Sequence, residues 1–121
     1  MIAAVKAVEA DHGKVGTLIN NAGYGEYGPI EEADLDRVRI MFETNVFGLA
    51  RLTQLVLPAM RRSRSGRIGN IGPMGGRITF PAGGADHASK SAVEATSAAP
   101  PLEVQPCGTA VRPGTRGLAR T

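Results

Sequence analysis

Apolar and polar positions follow helical and strand-like patterns in alternation along the chain. Residues 1–11 place apolar side chains on one helical face, those of Ile2, Val5 and Val8. The short apolar run 15–20 lies between glycine-rich turns, a pattern typical of a buried parallel strand. The N-terminal part is therefore predicted to form a helix and then a buried strand.

The longest helical pattern begins at Asp34, a good N-cap residue, and runs to about Arg62. Its apolar positions keep the i+3/i+4 spacing of one helix face. They are Leu35, Val38, Phe42, Val46, Leu49, Leu52, Val56 and Ala59. Asn45 lies within this stripe, and Gly48 and Pro58 are expected to bend or divide the helix.

Two further strands and one helix are predicted after the long helix. Residues 67–71 have the pattern of a second buried strand, and residues 109–112 that of a weak strand that runs into a turn at Pro113-Gly114. Between them a helix from about Ala85 should end at Pro100-Pro101, because proline lacks the donor N–H. Its inward residues are expected to be Ala88, Ala92 and Val93. This alternation implies an α/β fold with a parallel sheet.

Length and charge limit the kinds of protein that this can be. A chain of 121 residues forms at most one small domain, which is short for a dinucleotide-binding enzyme. The formal net charge of +3 is mild. A cluster of arginines could be a phosphate or nucleic-acid patch, but aromatic residues are not interleaved with it, so a solvated helix end is favoured and no nucleic-acid partner is expected. The cluster comprises Arg61, Arg62, Arg64 and Arg67.

Metal, membrane and secretory classes are also disfavoured. Cys107 is the single cysteine and His12 lies far from His87 in the sequence, so neither an intrachain disulfide nor a zinc site is expected. The most apolar stretch, 46–60, is interrupted by Arg51 and is not expected to span a membrane. No signal-peptide pattern occurs at the N-terminus, and a cytoplasmic location is predicted.

The stretch from Gly23 to Gly28 matches the G-x-G-x-x-G dinucleotide fingerprint letter for letter. In that fingerprint the last glycine opens a helix whose N-terminus receives the pyrophosphate. Here Pro29 follows, and the next predicted helix begins only at Asp34. We therefore interpret the match as coincidental.

Three other motifs occur in one order along the chain. They are Asn20-Asn21-Ala22-Gly23 after the first predicted strand, Thr44-Asn45-Val46-Phe47-Gly48, and Asp86-His87-Ala88-Ser89-Lys90. Each alone is compatible with a tight turn, a polar residue at a helix kink or a solvated lysine. Together they resemble the short-chain dehydrogenase/reductase family. The resemblance implies a partial Rossmann-like, doubly wound parallel sheet in a single incomplete domain (1–121), with NAD(P)-dependent oxidoreduction of an alcohol–carbonyl pair.

The resemblance also implies roles for individual residues. Asn45 and Lys90 would be catalytic, whereas the positions of the family's serine and tyrosine hold Pro73 and Asp86. The implied cofactor is NAD or NADP, held by Asn20, Ala22, Gly23, Lys90, Pro113 and Gly114. The glycine-rich phosphate turn with which family domains begin is expected to be absent from this chain, and its absence should weaken cofactor binding.

Aspartate at position 86 changes the expected chemistry. A tyrosine side chain ionises near pH ~10 and a neighbouring cation can bring this towards neutrality, whereas aspartate ionises near pH ~4. Asp86 and Lys90 are spaced i, i+4 on one helix face, so we expect a surface ion pair contributing under about 1 kcal/mol. The chain is thus expected to be a catalytically impaired member of the family.

Two alternatives to a catalytic role stay open. Family members commonly dimerise through helices that correspond to Asp34–Arg62 and Ala85–Ala99, so the chain could be a non-catalytic interaction module. Its partner would be a second copy or an intact relative. The chain could also be a decayed gene product with no biochemical role.

Overall fold

The computed structural model describes residues 1–73, 81–98 and 109–116. Four helices and three strands lie in these ranges, together with a short 3-10 turn and a π-helical turn. In chain order they are α1 (Ile2–His12), β1 (Thr17–Asn20), the 3-10 turn (Ile30–Glu32), α2 (Leu35–Phe42), the π turn (Glu43–Phe47), α3 (Gly48–Ser63), β2 (Gly66–Pro73), α4 (Gly84–Ala98) and β3 (Thr109–Arg116).

The three strands form one parallel sheet in the order β1-β2-β3. The register places Asn20 opposite Asn70, and Asn70 opposite Pro113. These three residues therefore lie abreast near the carboxyl ends of the strands, the edge at which open α/β sheets bind ligands. The predicted parallel α/β arrangement of a Rossmann-like fold is confirmed.

One face of the sheet carries the core. Alternate strand residues share a face, so Leu18 and Asn20 point the same way along β1, as Ile68 and Asn70 do along β2. The core cluster consists of Val5, Val56, Met60 and Ile68, with Leu18 among the residues that pack around it. Nearer the carboxyl end of this face lie Asn20 and Asn70, and Asn70 contacts α4. Helices α3 and α4 therefore cover the same face of the described sheet.

The first helix and strand are less buried than the sequence predicted. Of the expected apolar face of α1, only Val5 is buried, while Ile2 and Val8 are exposed. In β1 the side chain of Ile19 points away from the core face and is 64% exposed. The prediction of a fully buried strand is wrong for this reason: the described helices cover one face of β1 and leave the other open.

The long helix begins where predicted and is divided by the π turn. The Asp34 side chain accepts hydrogen bonds from the backbone N–H groups of Asp36 and Arg37, at 2.9 and 3.4 Å, and so caps α2. The extra residue of the π turn lies just before Gly48, whereas Pro58 is accommodated within α3.

The inward face of α4 is mostly polar, which corrects the prediction for Ala88, whereas Val93 is buried as predicted. Ala88 is exposed, and the buried residues at helical spacing are Asp86, Ser89, Val93 and Ser97. The helix is rotated from the expected orientation because these polar side chains find hydrogen-bond partners inside the molecule. The predicted helix end at Pro100-Pro101 and the single cysteine, Cys107, lie outside the described residues.

Strand β3 also extends further than expected. The backbone of Pro113 and Gly114, predicted as a turn, continues the strand and pairs with Asn70 and Ile71 of β2. Proline is tolerated in edge strands, and β3 is an edge of the described sheet.

Neither a membrane span nor a metal cluster occurs among the described residues. No helix in the described ranges is long and apolar enough to cross a bilayer. Nor do three or more His, Cys, Asp or Glu side chains converge there as metal ligands. The cytoplasmic location stays a prediction.

Candidate functional site

The carboxyl ends of β1 and β2 open onto a cavity of about 200 Å³. Its wall is built from the segment that follows β1, from the π turn and the start of α3, and from α4. The lining residues are Asn20, Asn21, Ala22, Gly23, Tyr24, Gly25, Asn45, Leu49, Ile71, Ser89, Lys90 and Val93. Five of the residues singled out from the sequence thus meet at one place, namely Asn20, Ala22, Gly23, Asn45 and Lys90.

Asn45 connects the π turn, the loop after β1 and α4 by hydrogen bonds at this cavity. Its side-chain oxygen accepts from the backbone N–H of Tyr24 at 3.1 Å, and its amide nitrogen donates to the Tyr24 carbonyl at 2.8 Å. The same nitrogen donates to the hydroxyl of Ser89 at 3.1 Å. The π turn that holds Asn45 therefore aligns the loop after β1 with α4, which explains why a polar residue is buried in the apolar stripe.

Gly23 and Gly25 allow this loop to approach its neighbours closely. A Cβ atom at Gly23 would lie 3.1 Å from the side-chain oxygen of Asn45. At Gly25 it would lie 2.7 Å from Asp86 Oδ1 and 2.7 Å from the ring of Tyr27, both closer than real Cβ contacts. Gly23 and Gly25 of the letter-for-letter fingerprint thus serve packing, and after Gly28 the next α-helix begins only at Leu35. The interpretation of that match as coincidental is confirmed.

A second chain of buried polar groups crosses the sheet beside the cavity. The amide of Asn20 donates to Asn70 Oδ1 at 2.8 Å, and the amide of Asn70 donates to the Ser97 hydroxyl at 2.9 Å. Ser97 in turn donates to the backbone carbonyl of Val93 at 2.6 Å. Neither Asn70 nor Ser97 was identified from the sequence. The signal was the helical spacing of Ser97 from Asp86 and Ser89, which places all three on one face of α4.

Asp86 and Lys90 form the expected ion pair, but the pair is not at the surface. The Asp86 side chain is 0% exposed and that of Lys90 is 17% exposed, with Lys90 Nζ donating to Asp86 Oδ2. The second oxygen, Asp86 Oδ1, is buried without a hydrogen-bond partner in the described structure. The prediction of a weak surface pair is therefore wrong, because Gly25 packs over the carboxylate and excludes water from it.

The environment of Lys90 favours its charged form. Burial by itself lowers the pKa of Lys90, but the hydrogen bond and charge of Asp86 outweigh that effect, and Tyr27 adds to them. The net result is a pKa above the ordinary value of 10.5. Lys90 is thus an ammonium group at the edge of the cavity.

The remaining predicted residues lie further along the same edge of the sheet. Pro73 is the last residue of β2, paired with Arg116 of β3. Pro113 and Gly114 lie in β3, next to Asn70 and Ile71. Their backbones therefore follow the carboxyl edge, while their side chains are not among those that the structure describes.

Comparison with known proteins agrees with these features. Residues 1–118 match the family model for short chain dehydrogenase. The chain is 43% identical over 103 residues to 3-ketodihydrosphingosine reductase of Bacteroides thetaiotaomicron, covering 85% of this chain and 38% of that protein. Among solved structures, NAD+-bound xylitol dehydrogenase has a TM-score of 0.87 at 31% identity over 93% of this chain and 44% of its own.

A metagenomic short-chain oxidoreductase in complex with NADP has a TM-score of 0.90 at 26% identity, covering 99% of this chain and 55% of its own. The chain spans less than half the length of the curated relatives that it matches. The match to the family model nevertheless covers nearly the whole sequence. The chain therefore belongs to the short chain dehydrogenase family.

Proposed function

We propose that the chain carries the nicotinamide side of an NAD(P)-dependent alcohol–carbonyl oxidoreductase site, in which residue 86 no longer donates the proton. Membership of the family supports the reaction class. The observation that carries the proposal is the state of Asp86, which is wholly buried and ion-paired with Lys90. The chain spans 38% of a reductase to which it is 43% identical. That it represents only part of a complete domain therefore belongs to the proposal.

Asp86 is unsuited to the proton transfer that its position implies. A carboxylate paired with an ammonium group accepts hydrogen bonds and has no proton to donate. It is also shorter than a phenol, and it lies beneath Gly25 rather than in the wall of the cavity. Positioned acid–base groups contribute about 10²–10⁴-fold to such reactions. We therefore expect Asp86 to contribute none of this factor to carbonyl reduction.

The cavity suits one end of a dinucleotide. Small residues at Ala22 and Gly23 leave room beside the carboxyl edge of the sheet, and Asn20 and Lys90 supply polar groups there. The volume of about 200 Å³ is below that of typical ligand pockets, which begin near ~300 Å³. We therefore assign to these residues the nicotinamide riboside, with Pro113 and Gly114 beside it in β3. NAD(P), when bound, accepts or supplies a hydride at its nicotinamide ring.

Restoring the two family residues tests the proposal. The variant Pro73→Ser with Asp86→Tyr should reduce an activated diketone with NADPH at least about tenfold faster than the parent chain, because the phenol and the hydroxyl that the resemblance implies at these positions are restored. Ala95→Tyr, which adds a phenol at an exposed position of the same helix, should change nothing. If parent and double variant bind NADPH equally and turn over equally, the defect is not at position 86.

A second candidate function, that of an interaction module, is supported by the exposed apolar side chains of α2 and the π turn. Phe47 is 56% exposed, and Leu35 and Ile40 are similarly exposed. Exposed large apolar side chains that recur within one segment of a folded chain favour an interaction site. We propose that the segments Asp34–Arg62 and Ala85–Ala99 pair with a second copy of the chain or with an intact relative.

Light scattering coupled to size-exclusion chromatography tests this pairing. The parent chain should elute with the mass of a dimer, and Phe47→Glu should elute as a monomer because it buries a charge in the contact. Ala7→Glu places the same charge on an exposed position of α1, outside both segments, and should remain dimeric. A monomeric parent chain that also fails to join a full-length family member would exclude the pairing.

A further inference from the structure

A second phenol lies against Lys90. Tyr27, in the loop between β1 and α2, has its hydroxyl 3.5 Å from Lys90 Nζ, and the ammonium lies 5.7 Å from the centre of the Tyr27 ring. The chain has two tyrosines, and the backbone of the other, Tyr24, is engaged by Asn45. Lys90, which has an aspartate and not a phenol at position 86, therefore contacts a phenol from a different segment of the chain.

The placement of the Tyr27 ring follows from Gly25. A Cβ atom there would lie 2.7 and 2.9 Å from two ring carbons of Tyr27, so the ring rests directly on the glycine backbone. The same glycine covers Asp86 Oδ1. The phenol is thus seated above the ion pair. Its hydroxyl contacts Lys90, which lines the cavity, while Tyr27 itself is not among the lining residues.

We propose that Tyr27 supplies the phenol that position 86 lacks, and that it donates its proton to the oxygen of a carbonyl ligand at the rim of the cavity. The inference rests on the proposed function. A reduced nicotinamide dinucleotide, held beside Asn20, Gly23 and Lys90, would supply the hydride to the carbonyl carbon and would itself be oxidised. The carbonyl oxygen forms an O–H bond as the Tyr27 O–H bond breaks, and the ligand leaves as an alcohol. Tyr27 is 70% exposed, so its phenolate regains a proton from water.

Charge at the site favours this role. The Lys90 ammonium lies beside the phenol and stabilises the phenolate that remains after proton transfer. Asp86 keeps that ammonium protonated, since the pKa of Lys90 is raised by the carboxylate against the opposing effect of burial. Asp86 is then a positioning residue, which holds Lys90 at the junction of Tyr27 and the cavity. Asp86 from its own helix and Tyr27 from the loop are titratable groups that contact Lys90.

The contact is tested first without any cofactor, by competitive acetylation of lysines read by mass spectrometry. The chain has three lysines, and exposed Lys6 serves as the internal reference. Tyr27→Phe should raise the labelling rate of Lys90 relative to Lys6 several-fold, because removal of the hydroxyl lowers the pKa of Lys90. Tyr24→Phe removes the other phenol hydroxyl, which does not contribute to that pKa, and should leave the ratio unchanged. An unchanged ratio in Tyr27→Phe would overturn the proposal.

The catalytic role is then tested by NADPH-linked reduction of an activated diketone, with NADPH binding measured by calorimetry. Tyr27→Phe should lower the rate at least about tenfold and leave NADPH affinity unchanged. Thr96→Val, which removes a hydroxyl from a half-buried position of α4 outside the cavity wall, should keep the parent rate. If NADPH binds but the parent rate is at background, or Tyr27→Phe matches the parent, this inference is wrong and the proposed function stands. Failure to bind NADPH would contradict both this inference and the proposed function.

Discussion

At position 86, where the resemblance to the family implies a phenol, the chain has a carboxylate, and the neighbouring residues accommodate it. Lys90 pairs with one oxygen, and Gly25 packs against the other. Removing two charges from water has a cost of several kcal/mol per ion, which the pair offsets only while both partners are present. Loss of one partner of this buried pair should therefore lower the free energy of unfolding more than loss of one partner of the surface pair that the sequence predicts.

The double-mutant behaviour of this pair is a testable consequence. Lys90→Met should destabilise the chain by about 3–5 kcal/mol, because it leaves a buried carboxylate without its cation. Asp86→Leu combined with Lys90→Met should recover most of that loss, since neither charge remains. Urea unfolding of the three proteins measures both effects. A loss below about 1 kcal/mol in Lys90→Met would instead indicate an exposed pair.

The pH dependence of stability follows from the raised pKa of Lys90. A group whose pKa is higher in the folded state stabilises that state while it is protonated in both, and the contribution disappears as the pH rises through the folded-state value. The ion pair should therefore contribute fully below pH 10.5 and lose its contribution above it. The free energy of unfolding, measured on both sides of this pH, should fall more steeply for the parent than for the Asp86→Leu, Lys90→Met variant. Equal slopes would contradict the assignment.

At the scale of the elements, local sequence predicts the helix starts better than the helix faces. Asp34 caps α2 as expected, because capping depends on the next three residues of the chain. The π turn was not predicted, since it depends on Asn45 reaching the backbone of Tyr24, twenty-one positions earlier in sequence. The face of α4 is predicted correctly at Val93 but not at Ala88, because Ser89 and Ser97 are buried by partners on other elements.

The contribution of Asn45 to the stability of the π turn can be tested by substitution. Asn45→Ala removes the hydrogen bonds to both backbone groups of Tyr24 and to Ser89, and it should destabilise the chain by about 1–3 kcal/mol. Amide exchange at Tyr24 should accelerate more than at Ile68, which lies in the core. Uniform acceleration at both sites would show that Asn45 affects global stability alone.

For the whole molecule, the order of elements and the family could be predicted from sequence, while the exposure of key side chains could not. The motif at Asn20 predicts a site at the carboxyl edge of the sheet, where α/β folds bind ligands, and the resemblance to the family implies that Lys90 belongs to the same site. The burial of Asp86 and the reach of Tyr27 both depend on how the loop after β1 folds over α4. No periodicity in the sequence encodes that contact, which joins residues sixty-three positions apart.

Thermal unfolding followed by circular dichroism, with and without excess NADPH, tests most directly whether this chain folds around a cofactor cavity. A ligand that binds the native state stabilises it, by about 2.7 kcal/mol at a hundred times its dissociation constant. We predict one cooperative transition whose midpoint rises with NADPH and not with an equal concentration of ATP, which controls for attraction of a polyanion to a chain of net charge +3. A transition that NADPH does not move, or that ATP moves equally, would contradict the assignment of the cavity to the nicotinamide cofactor.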